Sequence, residues 1–435
     1  MKQSFRIRRA IRRSLLACLL LVPGLAMAQT SGPLLDTDIP VATPGKRNRT
    51  VLERPRPELD PLGITAGGFR VYPVLGLEAG RTSNALGASA GAQGDVNLSL
   101  HPNVRIDSQW SRHALGAELD YDARRYAKVT AKNQNGWRVR ADGRLDIHGE
   151  SNLVASLSRE RTYEDQYVGS FPANAGASIA VRQTAALIRG TLVANRLRLL
   201  ASTDFTRFDY ADSLTLAGAP LDQDYRDRKV YRTSIRAEAL LAADSSAFVQ
   251  LTYRRTRYDD RTSGPTDRTS RDYRIVAGLV ADVTPVIRAA IGIGHARRTY
   301  DQAGLRTMRD VVADVRVDWN VTPLTTFSIT GRRGIEEAIE PNAAGYVANR
   351  AGVRADHELL RTLLLNLSLE RERDNFKGIG RRDRLIRVSA GAAYTMSRNV
   401  LITPRFEYAR RRSEGAFPGP SFREVRFALR ATLRI

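Results

Sequence analysis

The last eleven residues, Val425-Arg-Phe-Ala-Leu-Arg-Ala-Thr-Leu-Arg-Ile435, put Val425, Phe427, Leu429, Ala431, Leu433 and Ile435 on one face of a strand and Arg426, Arg430 and Arg434 on the other. Successive strand side chains point to opposite faces, so this segment needs an apolar medium on one side and water on the other. The same period recurs back to about Phe69, in segments of about ten residues separated by turn formers, which is the pattern of a transmembrane β-barrel. A soluble sandwich also alternates. What separates the two is chain order: short and long connections take turns, as periplasmic turns and surface loops do.

The reading is an all-β, antiparallel up-and-down barrel of about eighteen strands, an even number that returns both termini to the periplasm. Strands are expected near 69–79, 95–110, 113–126, 137–147, 152–163, 181–193, 197–210, 229–241 and 247–258. The others fall near 272–283, 286–299, 309–321, 325–333, 349–359, 362–373, 383–395, 400–411 and 423–435. Short turns include His148-Gly-Glu-Ser151, Ala194-Asn-Arg196, Thr284-Pro285, Thr322-Pro323 and Ser397-Arg-Asn399, while 164–180, 211–228 and 334–348 are long, polar and glycine-bearing.

Ahead of the barrel stand two further segments. Residues 1–28 carry six basic side chains, an apolar run from Leu15 to Leu25 and Ala26-Met27-Ala28, the pattern of a secretory signal cut between Ala28 and Gln29. Leu15-Leu16-Ala17-Cys18 imitates a lipoprotein box, but cutting there strands the apolar Leu19–Leu25 run beyond the cut. Removal of Cys18 with the signal leaves no disulfide and no thiolate metal site. Residues 29–68 are proline-rich with balanced charge, so they read as a disordered periplasmic tether that a periplasmic export partner can engage.

No later apolar run approaches the ~18 residues of a spanning helix. Of the 68 basic residues 6 leave with the signal, against none of the 46 acidic ones, so the mature chain carries +16. Such a charge draws anionic partners, and secretion excludes nucleic acid. Strand parity puts Arg138, Arg140, Arg144, Arg232, Arg236, Arg254, Arg274, Arg288, Arg316, Arg350, Arg354, Arg387, Arg426, Arg430 and Arg434 on the lumen face. Glu118, Asp120, Asp142, Asp146, Glu238, Asp314, Asp318 and Asp356 share it, so cross-strand ion pairing competes with free cations and the expected anion selectivity is modest.

Outward-running strands end in arginine and tyrosine words: Arg124-Arg-Tyr126, Arg161-Thr-Tyr163, Arg207-Phe-Asp-Tyr210, Arg257-Tyr258 and Arg298-Thr-Tyr300. They read as an outer-rim girdle of Arg125, Tyr126, Tyr163, Tyr210, Arg257, Tyr258, Arg298 and Tyr300 at the membrane boundary. A sharper reading makes the arginines a contact ring for lipopolysaccharide phosphates or an acidic polymer, since guanidinium forks bind both bidentately.

His101, His113, His148, His295 and His357 show no metal-ligand spacing, and neither a phosphate loop nor a G-x-S-x-G elbow occurs. No cofactor, metal or catalytic residue is expected, and Asn48-Arg-Thr50 is an incidental glycosylation sequon.

Arg54-Pro-Arg-Pro-Glu-Leu-Asp-Pro-Leu-Gly63, Gly67-Gly-Phe-Arg-Val-Tyr-Pro73 and Ser108-Gln-Trp-Ser-Arg-His-Ala-Leu115 resemble the corresponding words of the outer-membrane β-barrel porins of the second type. The resemblance implies an outer-membrane barrel of a Gram-negative bacterium, associated with exopolysaccharide or capsule production. Two positions depart from it. The chain ends in Ile435 rather than the aromatic residue read by the insertion machinery, and Asn84 lacks the preceding acid, so no ion-binding role is carried over.

The functional expectation is a passive channel through which an acidic polysaccharide leaves along a basic lumen, in contact with membrane lipid and lipopolysaccharide. The alternatives are an anion-preferring porin for small solutes and a non-conducting surface receptor or polymer anchor.

Overall fold

The computed structural model describes residues 48–435 apart from 243, 260–266 and 341–342. The expected signal peptide, with its cut between Ala28 and Gln29, and the first part of the expected tether lie outside the described residues. Eighteen long antiparallel strands make one closed sheet: β1 (Phe69–Thr82), β2 (Asp95–Ser108), β3 (Ala114–Tyr126), β4 (Gln134–His148), β5 (Ser151–Tyr163), β6 (Ala180–Ala194), β7 (Leu197–Tyr210), β8 (Arg228–Ala242) and β9 (Ser245–Tyr258). There follow β10 (Ser270–Thr284), β11 (Ile287–Tyr300), β12 (Met308–Thr322), β13 (Thr325–Glu336), β14 (Gly345–Leu360), β15 (Leu363–Lys377), β16 (Arg381–Thr395), β17 (Val400–Gly415) and β18 (Phe422–Arg434). The barrel closes where β1 pairs with β18, Leu75 opposite Leu433 and Ala79 opposite Leu429.

Every strand read from the sequence is present, and ends move by no more than four residues. The largest shifts are at the outer ends, where β14, β15 and β17 run on through residues that carry no apolar–polar alternation. Side chains divide by parity: Leu77, Leu98, Leu157, Leu251 and Ile293 stand exposed on the outside, while their neighbours in sequence are covered within. An outer surface so continuously apolar requires lipid around it.

The wall is not uniform. Between β12 and β13 the ladder stops at Ala313–Arg333, whereas β13 and β14 stay paired out to Glu336–Tyr346. The outer end of this hairpin therefore turns inward behind β11 and β12. Its nominally outward Ile335 and Val347 become fully buried against Ala296, Met308 and Val312. Burying those two side chains in place of lipid contact holds the hairpin inside the lumen.

From Asn48 on, the segment read as a free tether is packed along the periplasmic end of the barrel. Thr50 caps a 3-10 turn, Val51–Glu53, whose Val51 is fully buried and donates its amide to Thr326 Oγ1 at 2.9 Å. Arg56 pairs with Glu358 at 2.6 Å, and Arg361 with Glu58 at 2.6 Å. Proline has no amide to give a sheet. Here the carbonyls do the binding: Pro55 accepts from Arg361 at 3.1 Å and Pro57 from Arg398 at 3.4 Å. The segment then enters the sheet as a short strand, Ile64–Ala66, and reverses into β1 at Gly67, whose φ of +58° favours glycine.

Candidate functional site

All fifteen arginines read as lumen residues lie on the inward parity of their strands. Most are paired, in two ways. Register sets opposite charges side by side on neighbouring strands, as with Arg138–Glu160 at 2.6 Å, Arg232–Asp204 at 2.7 Å, Arg254–Asp272 at 3.0 Å, Arg288–Asp282 at 3.0 Å and Arg430–Glu78 at 2.8 Å. Other arginines use a carboxylate two residues away on the same strand: Arg140–Asp142 at 3.5 Å, Arg144–Asp146 at 2.8 Å, Arg316–Asp318 at 2.9 Å, Arg354–Asp356 at 2.8 Å and Arg426–Glu424 at 2.6 Å. Residues i and i+2 share a face in a strand, so Arg-x-Asp is itself a clamp legible in sequence. Arg350 bridges Glu336 and Glu372 at 3.0 and 2.8 Å, and Arg387 reaches Glu370 at 3.5 Å. Arg236 lies over the Phe248 ring at 3.9 Å, with Glu238 at 3.7 Å. Arg274 is buried near Arg254 without a short ion pair among the described residues. Arg434 donates to the Leu59 carbonyl at 3.0 Å, which ties it to the N-terminal segment.

The expected rim girdle divides. Arg125, Tyr163 and Arg257 point outward, whereas Tyr126, Tyr210, Tyr258, Arg298 and Tyr300 point into the lumen. The reason is parity: Arg257-Tyr258 are adjacent and face opposite sides, while Arg298 and Tyr300, two apart, share the inward one. The outward aromatic ring is instead made by Tyr121, Trp137, Phe205, Tyr231, Tyr253 and Tyr273, with Phe205–Tyr231 and Tyr253–Tyr273 ring centres 5.1 Å apart. Position within each strand, not the Arg-Tyr word, carries that signal.

The inward rim residues hold surface loops inside the mouth. Loop 164–179, between β5 and β6, crosses to strands β16–β18: Gln166 donates to Glu424 at 2.7 Å, the Tyr167 hydroxyl donates to the same carboxylate, and Arg411 donates to the Gln166 and Val168 carbonyls at 3.1 and 3.0 Å. Gly169 rests against Tyr346 and Asp374, where an added Cβ would lie 2.9 Å from a carboxylate oxygen. At the base of this loop Glu164 pairs with Arg226 of loop 211–227 at 2.5 Å, both fully covered. Loop 337–344 is held from three sides. Tyr258 and Arg298 bind Glu337, Arg268 donates to the Glu340 carbonyl at 2.6 Å, and Arg381 binds the Glu340 carboxylate. Burial pushes the Glu337 carboxyl up, but the Arg298 and Arg228 guanidiniums outweigh it and hold the group below the usual carboxylate range. Burial raises Asp165 and Tyr167, so both favour their neutral forms in the docked loop.

Below these loops lies a cavity of about 420 Å³, lined by eleven arginines against seven carboxylates, and a second of about 440 Å³ adjoins it along Arg332, Arg350, Glu370, Glu372 and Arg387. The walls of the first include Arg226, Arg228, Arg350, Arg387, Arg426 and Arg430, with Tyr167, Tyr210 and Tyr258 between them. The surface loop 211–227 also brings Asp212, Asp222 and Asp224 together on an exposed face, where Asp212 and Asp222 accept backbone amides. Asn84 is buried and spends its side chain on the Ala88 and Arg423 backbone, a structural use.

Residues 56–435 match the family described as "Putative beta-barrel porin 2". No curated protein matches the chain. Among solved structures it is similar to OccK2 (OpdF) of Pseudomonas aeruginosa, with a TM-score of 0.48 and 11% identity over 84% of this chain and 98% of that one. It is also similar to OccAB2 of Acinetobacter baumannii, at 0.48 and 9% over 84% and 98%, and to OpdK of Pseudomonas aeruginosa, at 0.46 and 13% over 84% and 99%. The chain belongs to the β-barrel porin 2 family, and is an eighteen-strand, porin-like barrel of the Gram-negative outer membrane.

Proposed function

We propose that the protein is a narrow, passive outer-membrane channel for small anionic solutes, with no catalytic step. The observation that carries this reading is the docking of loop 164–179 on Glu424 and Arg411 of the far wall, which narrows the lumen beside two adjoining cavities of about 420 and 440 Å³. Each of these volumes suits a small organic molecule rather than a polymer chain. The excess of arginine over carboxylate in the lining of the first raises the local concentration of anions, while the interspersed acids keep each contact weak enough to release. Export of an acidic exopolysaccharide or capsule polymer, the association implied by the family resemblance, requires this loop and the 337–344 hairpin tip to leave the lumen together.

Single-channel recording of the refolded barrel in planar bilayers tests the reading. The expected result is small openings, a reversal potential favouring anions in a salt gradient, and block by a small dicarboxylate. Large openings blocked only by an acidic oligosaccharide favour the polymer conduit. A folded barrel without openings favours a surface receptor or anchor.

A further inference from the structure

On β15–β18 the two faces of the wall treat charge differently. Along β15, Glu370, Glu372 and Asp374 point inward and Arg371 and Arg373 point outward. On β17 the inward Arg411 is buried and paired with Asp383 at 2.6 Å, while Arg410 and Arg412 on either side are exposed. The register sets Arg373 opposite Arg384, Arg384 opposite Arg412, and Arg410 opposite Arg423. Like charges directly opposite one another destabilise a sheet. The inward face relieves such pairs with carboxylates. The outward face offers only Glu414, 3.6 Å from Arg384, and Arg371, Arg373, Arg410, Arg412 and Arg423 have no ion pair among the described residues.

Immediately toward the membrane centre the same strands present Leu369, Ile386, Phe406, Val425 and Phe427, all exposed, with Phe406 directly opposite Phe427. Six guanidiniums thus border the lipid-facing apolar surface at its outer edge. We propose that this patch is a docking site for the phosphates of an acylated, phosphorylated glycolipid of the outer leaflet, with its acyl chains lying on the apolar residues below. Guanidinium binds phosphate through paired N–H donors, and the bound phosphates supply the negative charge that the sheet lacks here. The site is independent of what passes through the lumen.

The test uses the mature barrel refolded into phosphatidylcholine vesicles, alone, with diphosphoryl lipid A, or with dephosphorylated lipid A, and follows the temperature at which the heat-modifiable gel band shifts. Diphosphoryl lipid A is expected to raise that temperature by several degrees, and dephosphorylated lipid A to do little. The Arg371→Gln, Arg373→Gln, Arg410→Gln, Arg412→Gln variant should lose most of the rise, yet unfold at the same or a higher temperature in phosphatidylcholine alone, because the repulsion is gone. An undiminished rise in the variant, equal rises with both lipids, or a variant less stable in phosphatidylcholine alone overturns the proposal. Should the fourfold variant fail to refold, the Arg371→Gln, Arg410→Gln pair is read by the same criteria.

Discussion

Gln166 and Glu424 are 258 positions apart in sequence and 2.7 Å apart in space, which makes the first limb of loop 164–179 a bar across the lumen. Glu424 is the acid among its anchors, beside the Arg411 guanidinium that binds the Gln166 and Val168 carbonyls: it also accepts the Tyr167 hydroxyl, and is itself braced by Arg426 at 2.6 Å. Glu424→Ala leaves these buried donors unmatched, at roughly 1–3 kcal/mol for a single unsatisfied group, enough to release a surface loop without unfolding the wall. The expected outcome is a several-fold larger single-channel conductance with unchanged heat-modifiable migration on a gel. Unaltered conductance would mean that the loop does not set the narrowest point.

The N-terminal segment is expected to hold the periplasmic end in the same manner. Val51 is fully buried, and the Arg56–Glu358 pair at 2.6 Å lies one short turn beyond it. A Val51→Cys variant of the mature chain should react slowly with a membrane-impermeant maleimide. Adding Glu358→Ala removes a charged hydrogen bond worth about 1.5–3 kcal/mol and should speed labelling about tenfold or more. Fast labelling before Glu358 is removed would show that the segment is not held there.

Parity explains what was legible. A strand has a period of two whatever its neighbours, so the inward assignment of Arg138, Arg316 or Arg430 needed no tertiary knowledge. The rim failed on the same rule, because Arg257-Tyr258 and Arg298-Thr-Tyr300 look alike as words and face differently. Loop docking was out of reach: the partners of Gln166, Tyr167 and Glu340 are chosen by closure of the barrel, not by local pattern. Pro55 and Pro57 misled for a physical reason. A proline-rich stretch cannot build a core, but its carbonyls remain acceptors, and Arg361 and Arg398 find them.

Asp227, in the loop before β8, makes the outer mouth sensitive to pH. Burial, with Asp209, Asp224 and Asp259 nearby, pushes its carboxyl up to about 6, although the Tyr210 amide donates to it at 2.7 Å. A carboxyl raised in the folded state is bound to its proton more tightly there than in the unfolded chain. Its contribution is therefore full below about pH 4 and is lost as pH rises through 6. Asp227→Asn keeps the acceptor for Tyr210 and removes the charge. It should stabilise loop 211–227 at pH 8, by less than ~1 kcal/mol because solvent screens a half-exposed group, and have no effect at pH 4. Hydrogen exchange of that loop at the two pH values decides; equal effects at both would rule Asp227 out.

The split between β12 and β13 yields the last prediction. An open edge leaves backbone groups unpaired, and at Val311 both are capped by side chains: its amide donates to Asp310 Oδ1 at 2.9 Å, and its carbonyl accepts from Arg333 Nε at 3.2 Å. Arg333 also pairs with Asp310 at 2.6 Å, so a single guanidinium closes the seam. Arg309, on the outward face beside it, has no ion pair among the described residues and serves as the control. Arg333→Ala should expose the Val311 carbonyl, cost about 1–3 kcal/mol locally, and quicken amide exchange over 309–312, whereas Arg309→Ala should leave that exchange unchanged. Equal acceleration by both variants would mean that loss of outward charge, rather than loss of the cap, loosens the edge.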